Sequence, residues 1–89
     1  MQKPRQLERV MKGIANHRRI EVCVLLDKNP ELSLVEIAEI LKINVKTASE
    51  HVRRLAIAGM VMKRHDGNYV RHALTERGKI ILKFLRILD

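Results

Sequence analysis

The stretch from Ser33 to Gly59 restricts what this chain can fold into more than any other part of it. Two apolar-periodic segments flank a three-residue break, Lys42-Ile43-Asn44. In the first, Leu34, Ile37, Ala38 and Leu41 keep the i, i+3, i+4, i+7 spacing of a buried helical stripe. Ser33 followed by Glu36 is a capping-box signature, and Leu32 with Ile37 can form the hydrophobic staple around it. Asn44 is placed to cap the second helix, and Gly59 can close it by taking a positive φ. Ala38 falls where the helices must cross, and its small side chain lets the backbones approach. The spacing predicts a helix-turn-helix over residues 33–58, with duplex DNA as the expected partner.

The faces of the second helix agree with that expectation. At about 100° per residue, Ala48, Val52 and Leu55 share a narrow sector, the core side. Lys46, Glu50, Arg53 and Arg54 lie opposite, with Thr47 and Ser49 on the flanks. Any soluble helix carries charge outside. Short donors mixed with cations in the N-terminal half are what base-edge recognition needs. Expected DNA contacts are therefore Asn44, Val45, Lys46, Thr47, Ser49, Glu50, Arg53 and Arg54. Glu50 has two roles open: accepting from a cytosine amine, or orienting Arg53 and Arg54 through i+3 and i+4 pairs.

Charge is lopsided in the same sense. Residues 1–41 hold 7 basic and 6 acidic groups, whereas residues 42–89 hold 11 and 4. The positive field belongs to the second helix and the residues C-terminal to it, as phosphate binding requires. The 89 residues are expected to form one domain with a single modest core, aliphatic because Tyr69 and Phe84 are its only aromatics. No apolar run is long enough to cross a membrane, and Met1 to Lys12 is too polar for a signal peptide. A lone Cys23 leaves no disulfide framework and suits a reducing cytoplasm, the expected location.

Around the central stretch the chain reads as mainly α with a small β-hairpin. Residues 1–5 are expected to be a tail. Leu7, Val10, Met11 and Ile14 then make a short amphipathic helix, interrupted at Gly13-Ile14-Ala15-Asn16. Asn16 can cap the next helix, where Ile20, Cys23 and Val24 with Val22, Leu25 and Leu26 are apolar on several sides; Asn29-Pro30 closes it. From residue 60 to 74 the period changes. Two β-rich runs around Asp66-Gly67-Asn68 predict a hairpin, made basic by Lys63, Arg64, His65 and Arg71. Such a wing is suited to lie along a phosphate backbone, and those four residues complete the expected DNA contacts. Thr75 caps a last helix over 75–88 whose polar stripe is only Lys79, Lys83 and Arg86. Its wide apolar face, with Ile81, Phe84, Leu85 and Leu88, predicts a homodimer contact.

These pieces together resemble the winged helix-turn-helix regulators of the ArsR type, over nearly the whole chain. Residues Ala15 to Ile20 are similar to the Ala-Asp-Pro-Thr-Arg-Leu opening of that family's second helix, and Leu41 to Leu55 to its Leu-Gly-Leu-Ser-x-Ser-Thr-Val-Ser-x-His-Leu-x-x-Leu. Ala58-Gly59-Met60-Val61 and Leu74-Thr75-Glu76-Arg77-Gly78 resemble its Ala-Gly-Leu-Val and Leu-Thr-x-x-Gly. MarR-like winged regulators share these motifs. The resemblance implies a homodimeric transcriptional regulator, usually a repressor, with an effector that varies. It departs at the metal site of the family's sensors, Glu-Leu-Cys-x-Cys-Asp-Leu, where this chain has Ser33 and Val35 in place of both cysteines. Neither a metal nor a cofactor is expected. Lys42 also replaces the usual turn glycine.

The remaining chemistry-bearing residues have plain structural uses. Cys23 is expected to pack in the core. His51, at the edge of the buried face, should pack or bond a neighbour rather than contact a base, and His65 and His72 lack further ligands. Arg18 and Arg19 read as a solvated helix face. No nucleophile, base and oxyanion donor stand together, so an enzyme is not expected. The alternative is a winged-helix module that binds another protein, which should show an apolar patch where Lys46 and Arg53 stand.

Overall fold

The computed structural model describes residues 3–89, in which five helices and one hairpin follow the expected order. These are α1 (Pro4–Ile14), α2 (His17–Lys28), α3 (Leu34–Leu41), α4 (Val45–Ile57), β1 (Val61–Asp66), β2 (Tyr69–Leu74) and α5 (Glu76–Leu88). Helix α1 takes in Pro4 and Arg5, which the sequence alone left in a tail. Proline's fixed φ suits the first turn, and Gln6 Oε1 accepts from the Lys3 N–H at 3.1 Å. Met1 and Gln2 lie outside the described residues. Helix α1 also continues through Gly13 and breaks only at Ala15.

Local capping sets the other boundaries. Asn16 Oδ1 accepts from the Arg18 and Arg19 N–H groups at 2.9 and 3.2 Å, and Asn44 Oδ1 from the Lys46 N–H at 2.7 Å. Ser33 and Glu36 close the capping box at 3.2 and 2.9 Å, and Thr75 Oγ1 accepts from Gly78 at 3.0 Å. Helices α3 and α4 end alike. Ile43 N–H bonds the Ala38 carbonyl and Met60 N–H the Leu55 carbonyl, each across a left-handed residue, Lys42 (φ 57°) and Gly59 (φ 78°).

The core is built around α4. Ala48, Val52 and Leu55 are buried against Val22 and Leu26 of α2 and Ile37 and Ala38 of α3. Met60, Val61, Leu74 and Leu82 extend it under the hairpin and α5. Cys23 belongs to it, and burial pushes its thiol pKa up to about 12, so it stays protonated and unreactive.

The hairpin is antiparallel from Val61↔Leu74 to Asp66↔Tyr69, so the turn shrinks to Gly67-Asn68, with Gly67 at φ +62°. It does not stand as a bare ribbon. Leu32 bridges to His72: the Glu31 N–H bonds the His72 carbonyl and the His72 N–H the Leu32 carbonyl, both at 2.9 Å. The link between α2 and α3 thus adds a third edge to a pair of strands that would be marginal alone.

Lys42 is exposed, so its left-handed backbone gains nothing from packing and costs about 1–2 kcal/mol relative to glycine. Lys42→Gly should therefore raise stability by roughly 0.5–1 kcal/mol after glycine's extra unfolded-state freedom is subtracted. Urea unfolding followed by circular dichroism checks this; an unchanged or lower midpoint would contradict it.

Candidate nucleic-acid interface

With Ala48, Val52 and Leu55 buried, α4 must turn Lys46, Thr47, Ser49, Glu50, Arg53 and Arg54 outward, and all six are exposed. Val45 is exposed beside them, while the side chain of Asn44 is already committed to the cap. Among the described residues, the side chains of Lys46, Thr47 and Ser49 make no hydrogen bond within the chain.

Glu50 is engaged. Its Oε1 accepts from Arg53 Nη2 at 2.7 Å and Arg54 Nε at 3.1 Å, and its Oε2 from Arg53 Nε at 3.1 Å. These bonds, Arg53 first, lower its carboxyl pKa to about 2. Of the two roles left open, the free protein displays the orienting one. It aims two guanidinium groups while cancelling part of their charge.

Of the two uses expected for His51, packing or bonding a neighbour, it makes a bond, and the partner changes the picture of Arg19. Arg19 Nε donates to His51 Nδ1 at 3.4 Å, and its Nη1 donates to the Lys12 and Gly13 carbonyls at 3.0 and 3.2 Å. Arg19 is therefore no solvated side chain. It ties the C-terminal end of α1, where carbonyls carry the negative end of the helix dipole, to α4. Burial and the Arg19 charge lower the His51 pKa, which keeps Nδ1 free to accept. Arg18 remains at the surface, paired to Glu21 at 3.0 Å.

The wing splits its charges between two faces. Pairing places Arg64 directly across from Arg71, where like charges repel. Acids relieve this. Glu31 Oε2 accepts from Arg64 Nη2 at 2.8 Å and Asp66 Oδ2 from Arg71 Nε at 3.0 Å, while Arg71 Nη1 also donates to the Glu31 carbonyl. Lys63 and His65 alternate onto the other face, exposed and without a carboxylate partner among the described residues. The sequence weighed all four wing cations equally; the register separates two compensated from two uncompensated. Asp66 was within reach of a register argument. Glu31, 33 residues from Arg64, left no signal.

His72 lies on the face shared with Lys63 but is buried, its Nδ1 donating to the Leu32 carbonyl at 2.9 Å. Burial lowers its pKa. Ser33 and Val35 stand where the resemblance would put thiolates; the Ser33 hydroxyl serves the cap and Val35 points to solvent. Among the described residues, no three His, Cys, Asp or Glu converge on a metal-sized site. On α5, Phe84 and Leu88 are exposed, whereas Ile81 and Leu85 pack partly against the core. Ile80 and Ile87 are exposed as well, and on α1 so are Leu7 and Met11.

A family model described as winged helix-turn-helix DNA-binding matches residues 17–62, just over half of the chain. The chain belongs to that family, winged helix-turn-helix DNA-binding proteins. It is 28% identical over 75 residues to a cadmium resistance transcriptional regulatory protein CadC homolog of Staphylococcus aureus, covering 84% of this chain but 62% of that protein. A homodimeric winged helix-turn-helix DNA-binding domain of Mycobacterium bovis, described as a possible ArsR-family regulator, superposes with a TM-score of 0.85 at 26% identity. That match covers 98% of this chain and 86% of the other. HlyU of Vibrio cholerae superposes with a TM-score of 0.81 at 30% identity, over 99% and 97% of the two chains.

The Glu50 fork gives a direct check. Its folded pKa lies below the ordinary 4.5, so the pairing stabilises the fold above that pH and is lost as pH falls toward about 2. Carboxyl carbon shifts followed by NMR should place the Glu50 midpoint near 2, and Arg53→Ala should raise it. A midpoint at the ordinary value in both proteins would mean the fork does not form in solution.

Proposed function

We propose that this chain is a sequence-specific regulator of transcription that binds double-stranded DNA as a homodimer and acts as a repressor. The observation that carries the reading is the outward face of α4: Lys46, Thr47 and Ser49 are exposed and unpaired at its N-terminal half, beside a basic hairpin. In this docking mode that half of the helix reaches base edges. Lys46, Thr47 and Ser49 then read sequence, with Asn44 and Val45 fixing the entry of the helix. Glu50 holds Arg53 and Arg54 toward the groove wall. Lys63, Arg64, His65 and Arg71 follow the phosphates from the wing, residues 60–74. A polar, cationic face of this kind is poorly suited to an apolar protein partner.

The two classes of contact are separable. Lys46→Ala should cost about 1–3 kcal/mol on the cognate site and relax preference at one base position. Arg64→Ala should weaken cognate and random DNA alike and flatten the salt dependence by at most about one unit of slope, because Glu31 already offsets part of its charge. Binding of both variants to both DNAs across a salt series decides it. Should Arg64→Ala shift sequence preference while Lys46→Ala does not, reader and clamp are reversed.

The dimer rests on apolar surface that one copy leaves uncovered: Ile80, Phe84, Ile87 and Leu88 on α5, with Leu7 and Met11 on α1. The Mycobacterium bovis domain, homodimeric by its description, is consistent with this. Two copies on a symmetric site would occlude it, the simplest basis for repression. Ile81 and Leu85 are poor probes because they also serve the core. Phe84→Glu, changed at a side chain 46% exposed, should give folded monomers and weaken operator binding. Light scattering that finds the wild type already monomeric at micromolar concentration ends the dimer proposal.

A further inference from the structure

Where α1 crosses the C-terminal half of α4, a cleft of about 510 Å³ opens beside α5. A Cβ on Gly13 would collide with that of Ala58, so the two helices touch at the floor. The walls carry five cations, Arg9, Lys12, Arg19, Arg54 and Arg77, and no acid. Among the described residues Arg9, Arg19 and Arg77 have no ion-pair partner. Lys12 and Arg54 pair only with exposed carboxylates, Glu8 at 3.6 Å and Glu50 at 3.1 Å. Main-chain carbonyls meet two of the five cations, Arg19 at Lys12 and Gly13 and Arg77 at Ala58, but no full negative charge lines the concavity to offset them. Guanidinium forks match the oxygens of phosphate and carboxylate, and the cleft falls within the roughly 300–1,000 Å³ of small-ligand sites.

We propose that this cleft binds a small multivalent oxyanion, of phosphate or polycarboxylate type, held between Arg9 of α1, Arg54 of α4 and Arg77 of α5. Arg54 is shared with Glu50, so an anion that recruits it leaves Glu50 to Arg53 alone and slackens one side of the fork on the outward face of α4. That coupling rests on the proposed DNA function; the anion site does not, and it is tested without DNA.

Pyrophosphate titrated calorimetrically into the full chain at physiological ionic strength should bind one per chain, half-saturating at or below ~1 mM. Arg9→Ala and Arg77→Ala should each weaken it by about tenfold, the loss of one charge-assisted pair. Arg77 also donates to the Ala58 carbonyl at 3.0 Å, so Arg9, exposed and unpaired, is the cleaner probe. Lys46→Ala, on the outward face of α4, should leave the affinity within about twofold. Absence of saturable binding overturns the proposal, as does binding indifferent to Arg9→Ala or lost with Lys46→Ala. Intact pyrophosphate binding in a chain that failed to bind DNA would refute only the function proposed above.

Discussion

The buried stripe of α4 is the constraint on which the rest depends. Ala48, Val52 and Leu55 are 0–2% exposed, and an α-helix cannot bury one face without presenting the other. Once those three residues face α2 and α3, the direction of every other side chain on the helix is set. Ala48 of α4 and Ala38 of α3 are both small and buried, and the two helices pack against each other across the short turn. The turn accepts Lys42 in a left-handed conformation, a local strain that the two packed helices hold in place.

The C-terminal end of the same helix is a junction. Gly13 meets Ala58, Thr75 Oγ1 donates to the Gly59 carbonyl at 2.6 Å, Arg77 donates to the Ala58 carbonyl, and a Cβ on Gly78 would collide with the Met60 carbonyl. Both flanking helices, α1 and α5, therefore converge on the point where α4 ends. Arg19 adds a further strut, from the last carbonyls of α1 to His51. A displacement of α1 or α5 has few ways to be absorbed before it reaches the outward face of α4.

Electrostatically, the surface of α4 and the hairpin is less positive than its residue count implies. Glu50, Glu31 and Asp66 each hold arginines, and these exposed pairs are worth little in stability. Their effect lies elsewhere. A flexible guanidinium group is given one direction, and the repulsion between Arg53 and Arg54, or Arg64 and Arg71, is relieved. Among the described residues of α4 and the hairpin, Lys46 and Lys63 keep their positive charge without a carboxylate partner, as do Arg9, Arg19 and Arg77 around the cleft beside α1.

The sequence by itself determined the order of the helices, the caps at Asn16, Ser33, Asn44 and Thr75, the closure at Gly59, and the hairpin, though not the bounds of α1. The caps and the closure arise from groups within about five residues of one another, and the hairpin from two short runs joined by a tight turn, so backbone geometry leaves little freedom. It also determined which face of α4 is buried, because a period of 3.6 is fixed by the order of residues. Only the tertiary structure decided what depends on distant partners. Arg64 finds Glu31 and Arg19 finds His51 across more than thirty residues, and Leu32 joins the hairpin across forty. The same holds for α5, where composition alone could not separate Ile81 and Leu85, which the core claims, from Ile80 and Ile87, which it leaves in solvent. A periodic pattern names the faces of a helix; only its neighbours decide how wide a face they cover.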